Sequence, residues 1–164
     1  MPLSRFVPLL APALCAGIVL AAGWTQAKPT PKPHEAAGAF LAALSPEMRR
    51  QATYPFADDE RFHWRFVPRD DRMGAPLWSM DEKQQAAALE LLSTCLSADG
   101  YRRVNTIRDL ENVLLQMEKA SPQYRNPRKY FVTVFGDPSP RGLWGWRFEG
   151  HHLSLQWTLK DGKI

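Results

Sequence analysis

The sequence predicts an α+β fold, with N-terminal helices packed on an antiparallel β-sheet formed by the C-terminal third. Three observations point there. Apolar residues recur at helical spacing between His34 and Lys119. From Tyr130 onward the period changes to two: Leu153, Leu155, Trp157 and Leu159 alternate with Ser154, Gln156, Thr158 and Lys160. Helices gathered first and strands afterwards are the order of an α+β domain rather than of a βαβ repeat.

The chain opens on an export pattern. Arg5 supplies a positive n-region, Phe6 to Ala22 is almost entirely apolar, and Thr25-Gln26-Ala27 fits a cleavage site. Pro8 and Pro12, and the lack of a basic stop-transfer flank, argue against a membrane anchor. Residues 1–27 therefore read as a signal peptide and residues 28–33 (KPTPKP) as a Pro-rich tether. Residues 34–164 read as a single α+β domain that is exported, periplasmic or extracellular, and does not span a membrane after cleavage. Cleavage discards Cys15 and leaves Cys95, which has no partner for an internal disulfide and reads as a small buried hydrophobe. The formal net charge of +4 comes from scattered basic residues with acids between them, so no nucleic-acid partner is expected.

Within the domain, His34 to Leu44 reads as a helix with Phe40, Leu41 and Leu44 as its apolar stripe. Ser45-Pro46-Glu47 restarts a helix, with serine as N-cap and proline in the first turn. Arg61 to Pro68 (RFHWRFVP) alternates as a half-buried strand that places Phe62, Trp64 and Phe66 on the core side. Ser79 and Glu82 have the spacing of a capping box for a helix running to about Leu96, with Gly100 as its C-terminal cap. A further helix is expected over Thr106 to Lys119, with Ile107, Leu110, Leu114 and Met117 in the core and Glu111 solvated or paired with Arg108 and Lys119. Strands follow at Lys129–Phe135, Leu143–Glu149 and His152–Lys160. Asp161-Gly162 is a hairpin signal with no returning strand after it, which reads as the N-terminal part of a longer protein. The last strand would then present an edge that a second copy of the chain could cover as a homodimer.

The residues able to do chemistry cluster in Glu149-Gly150-His151-His152. Imidazole and carboxylate side chains suit a divalent transition metal, with Glu149, His151 and His152 as ligands, although a catalytic metal wants about three converging donors. Without metal, Glu149 would be a general base and a histidine the acid, which suits hydrolytic chemistry. The third reading is structural, a Glu/His corner paired with arginines. No nucleophile elbow, phosphate loop or dinucleotide fingerprint is present. A non-catalytic alternative is an envelope binding module. Trp144 and Trp146 follow a Pro- and Gly-rich loop and are the indoles expected to be exposed, with Arg147 beside them for ligand binding.

Three segments carry a resemblance: FLAALSPEMRRQATYPFADDERFHWRFVPR from Phe40, MDEKQQAAALELLSTCLSADGY from Met80, and VFGDPSPRGLWGWRFEGHHLSLQWT from Val134. They resemble a bacterial family designated domain of unknown function 3500, and Gly145 to Leu155 is the most specific part. The resemblance implies an exported protein about twice this length, with a second histidine-containing motif in its other half. It implies no reaction.

Overall fold

The computed structural model describes residues 31–164, so the expected signal peptide and residues 28–30 of the expected tether lie outside the described residues. Helix α1 (Pro33–Ala43) buries Ala36, Ala37, Phe40 and Leu41. Helix α2 (Pro46–Ala52) begins as its sequence predicts, with the Ser45 hydroxyl accepting the Met48 N–H at 3.2 Å. Helix α3 (Glu82–Thr94) packs on α1 through Ala88, Leu91 and Leu92. It starts from Asp81, not Ser79. Asp81 accepts the Gln84 N–H at 2.8 Å, while Gln84 accepts the Asp81 N–H at 3.1 Å. Ser79 is used in a 3₁₀ turn (Leu77–Ser79) instead.

Helix α4 (Ala98–Met117) is longer than its periodicity suggests. Gly100 lies inside its first turn rather than capping α3, because Ser97 is the N-cap and accepts the Gly100 N–H at 3.1 Å. Its inward stripe is also rotated. Val104 and Glu111 are buried, whereas Leu110 and Met117 are 50% and 75% exposed. The acid therefore lies on the inner face and two of the expected core residues do not.

The sheet has the strands β1 (Thr53–Tyr54), β2 (Ala75–Pro76), β3 (Tyr130–Phe135), β4 (Leu143–Gly150) and β5 (Leu153–Lys160). β3, β4 and β5 form the predicted antiparallel meander, with Trp146 opposite both Val134 and Trp157. The free edge of β3 takes β1 in parallel and β2 antiparallel, so the sheet is mixed. One face carries Tyr130, Val132, Val134, Trp144, Trp146 and Phe148 into the core formed with the helices. The other carries Arg147 and Glu149 and is covered by the chain between Pro55 and Met73, to which Arg147 and Thr133 bond. Asp161 and Gly162 both have positive φ, 51° and 75°, as a type I′ turn requires, and Lys163 bridges back to Lys160.

Residues 61–68 are not a strand. Asp59–Phe62 is a 3₁₀ turn, and the rest is irregular, with Trp64 56% and Phe66 52% exposed. The alternation is real, but the backbone groups that a strand would give to a ladder are taken elsewhere. Glu149 takes the Arg65 N–H, Arg72 takes the carbonyls of Arg65 and Val67, and the His152 N–H takes that of Phe66.

Candidate functional site

The Glu149–His152 cluster forms the tip of the β4–β5 hairpin. Gly150 pairs with Leu153, which leaves His151 and His152 as a two-residue loop. His152 has φ 58°, a left-handed conformation that favours glycine or asparagine. Contacts from other elements hold this turn. Phe66 O accepts the His152 N–H at 2.7 Å, the Tyr130 hydroxyl donates to His151 O at 2.8 Å, and Arg72 donates to Gly150 O at 3.1 Å. Burial pushes the Tyr130 phenol above its ordinary value of 10.0, and the Glu111 charge adds to this, so it stays a donor. Gly150 is required here, since a Cβ would stand 2.6 Å from Tyr130 Cε1.

Glu149 faces away from the histidines' hydrogen-bond partners. Its carboxylate accepts the Arg65 N–H at 2.9 Å and the Ser154 hydroxyl at 3.2 Å. It pairs with Arg72 at 3.0 Å and with Arg147 at 3.4 Å. Both approaches come from Nε atoms without hydrogen-bond alignment, so they act as charge pairs. Arg147 continues to the Glu60 side chain at 2.5 Å and to Glu60 O at 3.0 Å. Arginines on both sides and a captured backbone amide make Glu149 the anchor of the overlying loop.

His151 has a different carboxylate. Its Nδ1 meets Glu111 Oε1 from α4, and the rings of His151 and His152 stack at 3.9 Å. Arg125 Nη1 lies 3.0 Å from the same nitrogen and 3.9 Å from Glu111 Oε2, and its other nitrogens grip Glu118 at 2.8 and 2.9 Å. A carboxylate against Nδ1 fits a proton on that nitrogen, which leaves the neutral ring's lone pair on Nε2; Arg125, a donor only, then serves the two carboxylates and not the ring. Glu111 is 2% exposed, and the His151 side chain keeps 12% of its surface open. The pair lines a crevice with Pro68, Arg69, Tyr124 and Lys129 that is too narrow for a water-sized molecule.

The structure thus brings His151 and His152 together and sets Glu149 apart. Among the described residues, no group of three or more His, Cys, Asp or Glu side chains is arranged to hold a metal ion. The ligand-binding residues expected from the sequence are corrected: Trp144, Trp146 and Arg147 are all buried. β4 is the strand between β3 and β5 and is covered on both faces, which leaves its indoles no surface. Among the described residues, two indoles do line clefts: Trp64, 56% exposed, beside Arg61 and Gln156, and Trp78, 38% exposed and set edge-on to Phe131 at 5.1 Å. The Trp78 site is the one next to the His151 crevice. That cleft, of about 390 Å³, is completed by Asp70, Pro122, Gln123 and Asn126, and Asn126 also borders the His151 crevice.

Sequence reasoning missed Glu111 as a site residue. It lies seven residues after Val104 on the stripe that the structure buries, which is not the Ile107–Leu114 stripe that the apolar spacing picks out. No helix of the described chain is long and apolar enough to cross a membrane. No curated protein and no solved structure matches the chain. The model of a family described as a protein of unknown function (DUF3500) matches residues 26–164, and the chain belongs to that family.

Proposed function

We propose that this chain carries an acid–base site in which His151, oriented by Glu111, exchanges a proton with a bound substrate in hydrolytic chemistry. The observation that carries this reading is the enclosed Glu111–His151 contact. In this reading Glu111 holds the tautomer whose Nε2 lone pair takes a proton from an attacking water. Arg125, held by Glu118, keeps Glu111 in place. The crevice must part for a substrate to reach Nε2, and the exposed Arg69–Asp71 pair sits on the wall that would move. The N-terminal signal pattern supports export, which sets the periplasm or the extracellular medium as the place of action.

A metal centre on Glu149, His151 and His152 is the weaker reading, because these donors do not converge. The test is hydrolysis of a panel of chromogenic esters and glycosides by the purified chain, beside metal analysis of protein prepared without chelator or affinity tag. Turnover lost in His151→Ala and Glu111→Gln but kept in His152→Ala is the expected result. Turnover indifferent to His151 would overturn the reading. Stoichiometric metal that disappears in a His151→Ala/His152→Ala double variant would replace it with the metal one.

A further inference from the structure

The Trp78 cleft points to the ligand. It has one partly exposed indole, a proline across from it, and the side chains of Asp70, Gln123 and Asn126. The indole is held in place rather than free. Its ring meets Phe131, and Arg128 donates to the carbonyls of Leu77, Trp78 and Met80 at 3.2 to 3.4 Å. Asn126 Oδ1 accepts the Arg128 N–H at 2.8 Å, which leaves its NH₂ group for a ligand. Lys129 fixes the opposite wall by pairing with Asp70 and donating to Gln123 O at 3.1 Å.

The charges around the cleft decide what class of molecule fits. Lys129 has Asp70, Arg69 has Asp71, Arg72 has Glu149 and Arg125 has Glu118, while Arg128 has no carboxylate among the described residues and spends its Nη2 on the carbonyls of Leu77, Trp78 and Met80. An anionic ligand would have to break one of these pairs or draw Arg128 off its carbonyls, and would face the Asp70 carboxylate that lines the cleft, whereas an uncharged polyhydroxylated ligand needs no counter-ion. A flat apolar ring beside amide and carboxylate groups is the combination that holds such a molecule, by stacking on its C–H face and bonding its hydroxyls. We infer that the cleft is a subsite for an uncharged sugar ring, stacked on Trp78 and hydrogen-bonded by Asp70, Gln123 and Asn126. Asn126, shared by cleft and crevice, places the next unit of an oligosaccharide beside His151. This inference deepens the acid–base reading and rests on it only for that second placement; the sugar subsite stands on the cleft alone.

Isothermal titration calorimetry of the purified chain tests it. The probes are cellotriose, maltotriose and triacetylchitotriose, with trigalacturonate as the charged counterpart. At least one neutral trisaccharide should bind, and Trp78→Ala should weaken it by about tenfold or more. Gln123→Ala, whose side chain holds no structural bond among the described residues, should weaken it by a few fold with folding intact, so a poorly folded Trp78 variant would not leave the question open. The inference is overturned if no neutral trisaccharide binds, if only trigalacturonate binds, or if binding is the same in a folded Trp78→Ala and in Gln123→Ala. Sugar binding without turnover in the chromogenic panel would sink the proton-transfer reading and leave the subsite standing. Turnover of esters without sugar binding would do the reverse.

Discussion

The Glu149 carboxylate accepts the backbone N–H of Arg65 at 2.9 Å, across 84 residues of intervening chain. The same carboxylate neutralises Arg72 and Arg147, whose side chains are 2% and 1% exposed. Removing it leaves the buried Arg72 with no carboxylate among the described residues, leaves Arg147 with Glu60 alone, and frees one backbone amide. Glu149→Ala should therefore cost about 3–5 kcal/mol, and Glu149→Gln, which can still accept the amide, less. Urea denaturation measures both. A Glu149→Ala protein of unchanged stability would mean that the loop is held by other contacts.

Glu111 and His151 should be energetically coupled. A double-mutant cycle of Glu111→Ala and His151→Ala should give an interaction energy of about 1–3 kcal/mol. A cycle of Glu111→Ala with His152→Ala should give a smaller one, since His152 meets His151 only through its ring face. Equal coupling in both cycles would mean that the crevice senses the hairpin tip as a whole and not the Nδ1 contact.

Gly150→Ala should destabilise by about 1–3 kcal/mol, because its Cβ would run into the Tyr130 ring, itself stacked on Phe148 at 5.4 Å. Converting the ring to leucine in a Tyr130→Leu/Gly150→Ala double variant should recover part of that loss. Thermal melts of the four proteins read the compensation.

Alkaline stability should carry a Tyr130 signature. Its phenol is held neutral in the fold, with its value raised by burial and by Glu111. The stabilisation is full below the unfolded-state value of 10.0 and falls as the pH rises above it, where only the unfolded phenol ionises. Tyr54 is raised for similar reasons, so the difference from Tyr130→Phe is the quantity to read. That variant should lose about 1 kcal/mol at neutral pH with its hydroxyl bond, then converge on the wild type as the pH climbs past that value. Parallel curves would mean that the phenol titrates normally.

The rotated face of α4 makes a further expectation. Leu110→Gln and Met117→Gln should each change stability by no more than about 0.5 kcal/mol, while Leu91→Ala, at a fully buried position, should cost about 2–5 kcal/mol. A costly Met117→Gln would restore the helix orientation that periodicity alone suggests.

Much of the fold was legible because local rules decide it. The Ser45 cap, the three-strand meander and the Asp161-Gly162 turn are each fixed by a few neighbouring residues. Where the reading went astray, a remote partner had overruled the pattern. Residues 61–68 alternate like a strand, yet Arg72, Glu149 and His152 claim their backbone groups. Trp144 and Trp146 follow a loop that suggests exposure, yet β3, β5 and layers on both faces enclose them. Glu111 could be placed on a helix from sequence, but its histidine lies 40 residues away on another element, and spacing holds no record of such a meeting.

The staple between the Pro55–Met73 segment and the hairpin tip also sets an order of events in time. The β3–β4–β5 meander closes through nearby residues, whereas the contacts of Arg65, Arg72 and Glu60 with β4 span 78 to 87 residues and bear a larger closure entropy. The meander can therefore assemble early, and the crevice walls come together last. In the native state the same hierarchy runs backwards, so that the Arg65 and His152 amides exchange with solvent through brief detachment of the segment while the β3–β4 amides wait for global unfolding. On the proposed acid–base reading, access to His151 would follow such a detachment and leave the sheet intact.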